Sequence, residues 1–259
     1  MTDKTITFYD FPSKKDGVLA WNPNTLKTRF SLYYKCLPFK TIWVEYPDVE
    51  STLKAAGIAP SSIKPDGTPL YTQPAIIDPS TGAALSDSFV IAEYLDKTYP
   101  DTPSVVPKGT RGLQAAFIDG IIPCIAPLFA FGMKQSCDVL MNPRSAEYFR
   151  RTRKEMVLGG KSVDEIVPKG ESAREEWKKL EAGFGKMAGW YGPQGQGNDN
   201  SNRFIMGENP ILGDFAIGGW LVYCKNAWGE ESQEWKDIAS WNDGRWGRLL
   251  ESLEEYFPK

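Results

Sequence analysis

At 259 residues and 41% hydrophobic content, the chain is long enough for one large or two ordinary domains with real cores. A formal net charge of −3, with no basic cluster longer than Arg150-Arg151-Thr152-Arg153-Lys154, argues against nucleic acid as a partner, and that run reads as a solvated helix face. The absence of histidine excludes imidazole general bases, His-based triads and His-ligated metals together, and no metal is expected.

Residues 1–4 lack a signal-peptide core, so a reducing, cytoplasmic location is expected, and Cys36, Cys124, Cys137 and Cys224 have no two-residue spacing and read as buried thiols. Residues 5–8 alternate as a first strand, residues 23–37 read as a helix and residues 41–46 as a second strand, which makes a β-α-β unit. The helix opens on Trp21-Asn22-Pro23-Asn24-Thr25, and Asn at the N-cap followed by Pro is a preferred helix start in its own right. Residues 70–78 then read as a strand, a proline bend and a second strand, and the turn at 79–82 leads to a third. Pro74 cannot donate to a ladder, and a cis Gln73–Pro74 bond would turn the Gln73 N–H and C=O outward, available to a ligand backbone. A helix beginning at Ser88, with Ile91, Tyr94 and Leu95 on one face, can point its N-terminus at the same place. Its amides and the Ser88 hydroxyl would hold a carboxylate, and Asp87 an ammonium. Strand termination and helix capping explain each feature singly; together they suit a small zwitterionic peptide.

Residues 99–103 look like a linker, and from residue 110 the strand signal fades. Amphipathic runs at 112–131, 145–158, 172–190 and 211–228 predict an all-helical second half. The least polar stretch, 120–133, is too short to cross a bilayer, which needs ~20 residues, and its two prolines make it a kinked core helix; no membrane partner is expected. Trp177, Leu180, Phe184 and Met187 recur at helical spacing as a core stripe, and residues 192–202 read as an exposed loop.

In this order the pattern resembles the glutathione transferase superfamily. The resemblance implies an α/β, thioredoxin-like, glutathione-binding domain over residues 1–100, a linker over 101–110 and an all-α C-terminal domain over 111–259. It also implies glutathione as co-substrate without a metal, a homodimer, and glutathione contacts from Asn24, Gln73, Pro74, Asp87 and Ser88. Residues 207–216 resemble the superfamily's buried helix-capping motif around Asp214, with Ile211 where Ser or Thr is usual. The stretches 9–10, 21–29 and 37–48 look like the fungal-specific class A transferases, called etherase-related, which bind aromatic wood and plant compounds as ligandins. Their loop commonly reads Trp-Ser-Pro-Asn, so Asn22 stands where that Ser is expected.

Asn22 is therefore the candidate catalytic residue, and its amide can donate to a thiolate but cannot take its proton at neutral pH. Lowering a free thiol near ~8.5 by two units needs about 2.7 kcal/mol in favour of the thiolate. Asn24 and Thr25 are further donors, and Tyr9 is the rival because several transferase classes place a catalytic Tyr there. Without Cys at 22 or 25, disulfide exchange and the deglutathionylating chemistry of cysteine-type members are not expected. The implied function is conjugation or thiolysis of electrophiles by the glutathione thiolate, in detoxification, weakened by Asn22. The alternative is a mainly non-catalytic ligandin that sequesters phenolics. An interaction module is disfavoured by the retained binding residues. Phe11, Leu19, Phe129, Phe131 and Met133 are the expected wall of an aromatic pocket, and Lys40, Lys54 and Lys64 the candidates for glutathione's glycine carboxylate.

Overall fold

The computed structural model describes residues 4–192 and 202–256. The chain begins with β1 (Ile6–Asp10), α1 (Pro23–Tyr34) and β2 (Phe39–Trp43), then a 3-10 turn at Tyr46–Asp48 that runs into α2 (Val49–Ala55). A short ribbon of β3 (Ser62–Ile63) and β4 (Pro69–Leu70) leads to β5 (Ala75–Asp78), β6 (Ala83–Ser86) and α3 (Ser88–Thr98). The main sheet has the order β2-β1-β5-β6, with β1 parallel to β2 and antiparallel to β5, and β6 antiparallel to β5. This is the thioredoxin-like domain that the β-α-β reading expects.

Two strand boundaries differ from expectation. The first strand runs on to Asp10, and the second starts at Phe39 and stops at Trp43, because Phe39 packs on Phe8 at 5.9 Å and Tyr33 at 4.9 Å while Tyr46-Pro47-Asp48 turns into α2. Only Val49 and Leu53 of α2 are buried, a signal too short to read as a helix. The Arg29 guanidinium locks α1 onto β1: it donates to Asp10 at 2.8 and 3.1 Å and lies 5.0 Å over the Phe8 ring.

The helical half comprises α4 (Arg111–Cys124), α5 (Ala126–Gln135), a π turn at Ser136–Leu140, α6 (Pro143–Met156), α7 (Gly170–Trp190), α8 (Leu212–Trp228) and α9 (Gln233–Leu253). The run expected at 112–131 is two helices, bent by 70° at Ile125, because Pro123 and Pro127 flank the break. The final helix α9 was not anticipated. Asn242, Asp243 and Gly244 adopt positive φ inside it, so its apolar period is broken. Leu180, Phe184 and Met187 are buried as the stripe requires, and Trp177 is half-buried. The loop expected at 192–202 lies, apart from its two end residues, outside the described residues. Among the described residues no single helix is long and apolar enough to cross a membrane.

The connection between the halves is pinned. Asp96 accepts from the Val105 and Val106 amides and from the buried Lys35 ammonium at 2.8 Å, while the Leu212 amide donates to the Val105 carbonyl. The helices α1 and α8 meet along Phe30 and Phe215, stacked at 5.5 Å. A Cβ added to Gly219 would sit 2.7 Å from the Pro23 carbonyl oxygen, so glycine permits the close approach that fixes the first turn of α1 against the helical domain. At the start of α8, the buried Asp214 carboxylate accepts from the Ile211 and Ile205 amides and the Tyr191 hydroxyl, each at 3.0 Å. Burial nevertheless pushes its pKa up to about 6, and Ile211 returns no side-chain cap.

Candidate functional site

The site begins at the first turn of α1. The Asn22 Oδ1 accepts from the Asn24 amide at 2.9 Å and the Thr25 amide at 3.4 Å, so Asn22 is the cap that its sequence position predicts. Its Nδ2 donates to the Tyr46 hydroxyl at 2.9 Å. The helix amides expected to hold a thiolate are thus already engaged, and Tyr46, which the sequence reading passed over, stands beside them. Tyr46 stacks on Phe11 at 4.0 Å, and burial raises its pKa well above the ordinary range, so it keeps its proton at neutral pH. Thr25 is buried and its hydroxyl bonds inward, to the Asn22 carbonyl at 3.2 Å. Tyr9 is packed in the core, where burial raises its pKa, and it does not line the cleft at Asn22.

The second part forms where β5 and α3 meet. The Gln73–Pro74 bond is cis, and the Asp87 amide donates to the Pro74 carbonyl at 3.2 Å, which brings both sequence motifs together. Gln73 is 5% exposed, yet neither its Oε1 nor its Nε2 has a hydrogen-bond partner among the described residues. Such an orphaned buried amide costs on the order of 1–3 kcal/mol. Asp87 adopts φ 78°, a left-handed conformation costly for a residue with a Cβ, and its Oδ1 caps the Phe89 and Val90 amides at 2.8 and 3.1 Å. Those two amides are occupied, so the Ser88 hydroxyl and backbone amide, together with the second Asp87 oxygen, are the groups left to meet a ligand.

Lys27 joins the two parts. It sits one turn along α1 from Asn24, half-buried, and burial lowers its pKa while the charge of Asp87 raises it. Its ammonium makes no ion pair among the described residues. Of the lysines expected at a carboxylate, Lys54 is paired with Glu50 at 2.6 Å and lies 5.3 Å over the Tyr71 ring, on the approach to Gln73. Lys64 closes the β3–β4 ribbon, and Lys40 lies on the β2 edge of the sheet.

Beside Asn22 opens a cleft of about 170 Å³ between the domains. Asn22, Asn24 and Tyr46 line it together with Phe129, Met133, Phe149, Trp220 and the Arg153 guanidinium. Phe129 and Met133 are wall residues as expected. Phe131 instead packs against Trp177 at 5.4 Å on the far face of α5, Leu19 lies in a groove with Phe39 and Trp43, and Phe11 is buried behind Tyr46. Arg153 departs from the solvated-face reading of its basic run. Among the described residues no group of three or more Cys, Asp or Glu gathers into a metal site.

Residues 21–98 match the family model for the glutathione S-transferase N-terminal domain, and residues 112–256 match that for the C-terminal domain. A glutathione S-transferase-like protein of Aspergillus flavus is 30% identical over 261 residues, which span 95% of this chain and 89% of the relative. A glutathione S-transferase of Ceriporiopsis subvermispora, solved in complex with glutathione, is 44% identical with a TM-score of 0.90 and 98% coverage of both chains. A glutathione transferase of Phanerochaete chrysosporium is 36% identical with a TM-score of 0.89, again over 98% of both chains. The chain belongs to the glutathione S-transferase family.

Proposed function

We propose that this glutathione S-transferase family protein binds glutathione along α1, with its γ-glutamyl end at Asp87, Ser88 and Lys27, its cysteinyl backbone at Gln73, and its sulfur beside Asn22 and Tyr46. The observation that carries this reading is the hydrogen bond from the Asp87 amide to the Pro74 carbonyl, which sets Gln73, Asp87 and Ser88 side by side at the start of α3. Asp87 answers the ammonium of the peptide, and Ser88 and Lys27 its carboxylate. Tyr46 accepts from Asn22 and keeps its own proton to donate to the thiolate, while the second Nδ2 hydrogen of Asn22 is available to the same sulfur. Neither group removes the thiol proton, which leaves to solvent. The thiolate then attacks an electrophile held in the adjoining aromatic cleft, as in detoxifying conjugation or thiolysis.

Membership of the fungal-specific class A and a cytoplasmic location are part of the same reading. Cys124, Cys137 and Cys224 are buried as expected but Cys36 is exposed, and its free thiol suits a reducing compartment. A homodimer is inferred from the face shared by α3 and α4. There Val90 is 46% and Leu113 75% exposed, and Arg111 bridges to Glu93 at 2.7 Å. A second reading, a ligandin that holds aromatic phenolics without turnover, is favoured by Asn22, whose amide is already committed to the cap and to Tyr46. Calorimetric titration with glutathione, followed by steady-state conjugation with a panel of aromatic electrophiles, separates the two. Binding with turnover supports the enzyme and binding of phenolics without turnover the ligandin. Absence of glutathione binding sinks the site assignment.

A further inference from the structure

The α6 helix carries Arg144, Arg150, Arg151 and Arg153, and three of the four face acids. Arg144 pairs with Asp48, Arg150 with Asp138 and Asp164, and Arg151 with Glu155 at 3.8 Å. Arg153 has no carboxylate partner among the described residues. It is half-buried, its guanidinium lies 4.5 Å over the Phe149 ring, and it faces a cleft lined mainly by aromatic and apolar side chains, with Asn22, Asn24 and Ser136 but no Asp or Glu. A partly desolvated cation with no counter-ion is costly, and every other arginine of this helix avoids that cost. Its guanidinium lies over the Phe149 ring with no carboxylate paired to its donors, and an arginine fork is the group that binds carboxylates in a bidentate manner. The cleft volume of about 170 Å³ compares with about 150 Å³ for an apolar cavity that takes up benzene, so one aromatic ring fits.

We propose that the cleft selects single-ring aromatic carboxylates, with the acid on Arg153 and the ring between Phe129, Phe149 and Trp220. This deepens the proposed transferase reading: the acid fixes one end of the co-substrate and the ring the other, so that the electrophilic carbons between them lie beside Asn22 and Tyr46, where the thiolate stands. An α,β-unsaturated aromatic acid held this way would take the sulfur at its β-carbon. The C–S bond forms as the carbon–carbon π pair moves to the α-carbon, which is then protonated by water.

The test uses the full-length protein and quenching of tryptophan fluorescence, since Trp21 and Trp220 line the cleft. The probes are trans-cinnamate and its uncharged isostere trans-cinnamamide, each with and without glutathione. The acid is expected to bind at least tenfold more tightly than the amide, Arg153→Gln to bring that ratio within twofold, and Arg153→Lys to keep part of it. Equal affinity of the two probes for the wild-type protein overturns the proposal and needs no variant to fold. So does a ratio that survives Arg153→Gln. A third result, in which Arg153→Gln weakens glutathione binding and leaves the probe ratio unchanged, overturns it by assigning the guanidinium to glutathione's own carboxylate. Because probe binding is read without glutathione, a lost probe preference with intact glutathione binding refutes this inference alone. Failed glutathione binding with an intact preference refutes the transferase reading alone.

Discussion

Replacing Asn22 separates its structural role from its chemical one. In Asn22→Ala the amides of Asn24 and Thr25 lose their acceptor and the Tyr46 hydroxyl its donor. A lost cap costs about 0.5–2 kcal/mol and a lost neutral hydrogen bond about 0.5–1.5 kcal/mol, so unfolding free energy should fall by roughly 1–3 kcal/mol. Asn22→Ser keeps the cap and loses only the reach to Tyr46, for a loss of about 1 kcal/mol. Tyr46→Phe keeps the cap intact and removes the hydroxyl. A hydrogen bond to a thiolate is worth about 1.5–3 kcal/mol, so removing one donor should raise the pKa of bound glutathione's thiol by about one to two units at 1.36 kcal/mol each. Ultraviolet titration of thiolate absorbance in the complex reads that shift directly, alongside denaturant unfolding of the free protein. Tyr46→Phe and Asn22→Ala should both raise the thiol pKa and lower turnover at neutral pH. Asn22→Ser, which places a hydroxyl donor nearer the sulfur, should raise turnover with glutathione affinity little changed. An unchanged ionisation in all three variants would falsify the Asn22 and Tyr46 assignment and leave the Asn24 side chain as the remaining donor at this turn.

Asp87→Ala should weaken glutathione binding by about 1–3 kcal/mol in calorimetric titration, the loss of a charge-assisted hydrogen bond, and unchanged affinity removes Asp87 from the site. Asp214 offers a pH test. Its folded pKa of about 6 lies above the ordinary 3.8, so its contribution to stability is complete below about pH 4 and lost as pH rises through 6. Asn at 214 does not titrate, so the stability of the wild type relative to Asp214→Asn should drop by about 2 kcal/mol between pH 4 and 7, and a pH-independent difference refutes the raised pKa. Light scattering should give twice the 29.0 kDa chain mass, and the monomer mass excludes the dimer.

What the sequence made legible was local. Asn22-Pro23 declared a cap, Gln73-Pro74 a bend outside the ladder, and Asp87-Ser88 a helix start, because each depends on residues adjacent in the chain. What it withheld was assembled from afar. The cleft takes Tyr46 from the turn before α2, Phe129 from α5, Phe149 and Arg153 from α6 and Trp220 from α8, and no period in the sequence links them. Even so, part of it could have been found. Phe129 and Met133 are spaced i,i+4 and share a face of α5, whereas Phe131 falls nearly opposite and packs on Trp177. Phe149 and Arg153 have the same i,i+4 spacing, which places a cation over a ring, and Arg153 is set apart from Arg151, itself over Tyr148, by its half-burial and lack of a carboxylate partner among the described residues.

The same contrast bears on what Asn22 does. From sequence, cap and catalyst were rival explanations of one residue. In the structure they fall on different atoms: Oδ1 closes the helix, and Nδ2 holds Tyr46 at the mouth of the cleft. A serine hydroxyl at this position could cap α1 as Asn does but would be too short to reach Tyr46 as well. On the proposed reading, Asn in place of the expected Ser would be a change of architecture, in which the donor to sulfur moves outward to Tyr46. Tyr46→Phe tests this, because it leaves the Asn22 cap untouched: a rise in the bound thiol's pKa with no loss of helix stability assigns the donation to the tyrosine, and an unshifted thiol removes Tyr46 and leaves the Asn22 amide to be judged by Asn22→Ala.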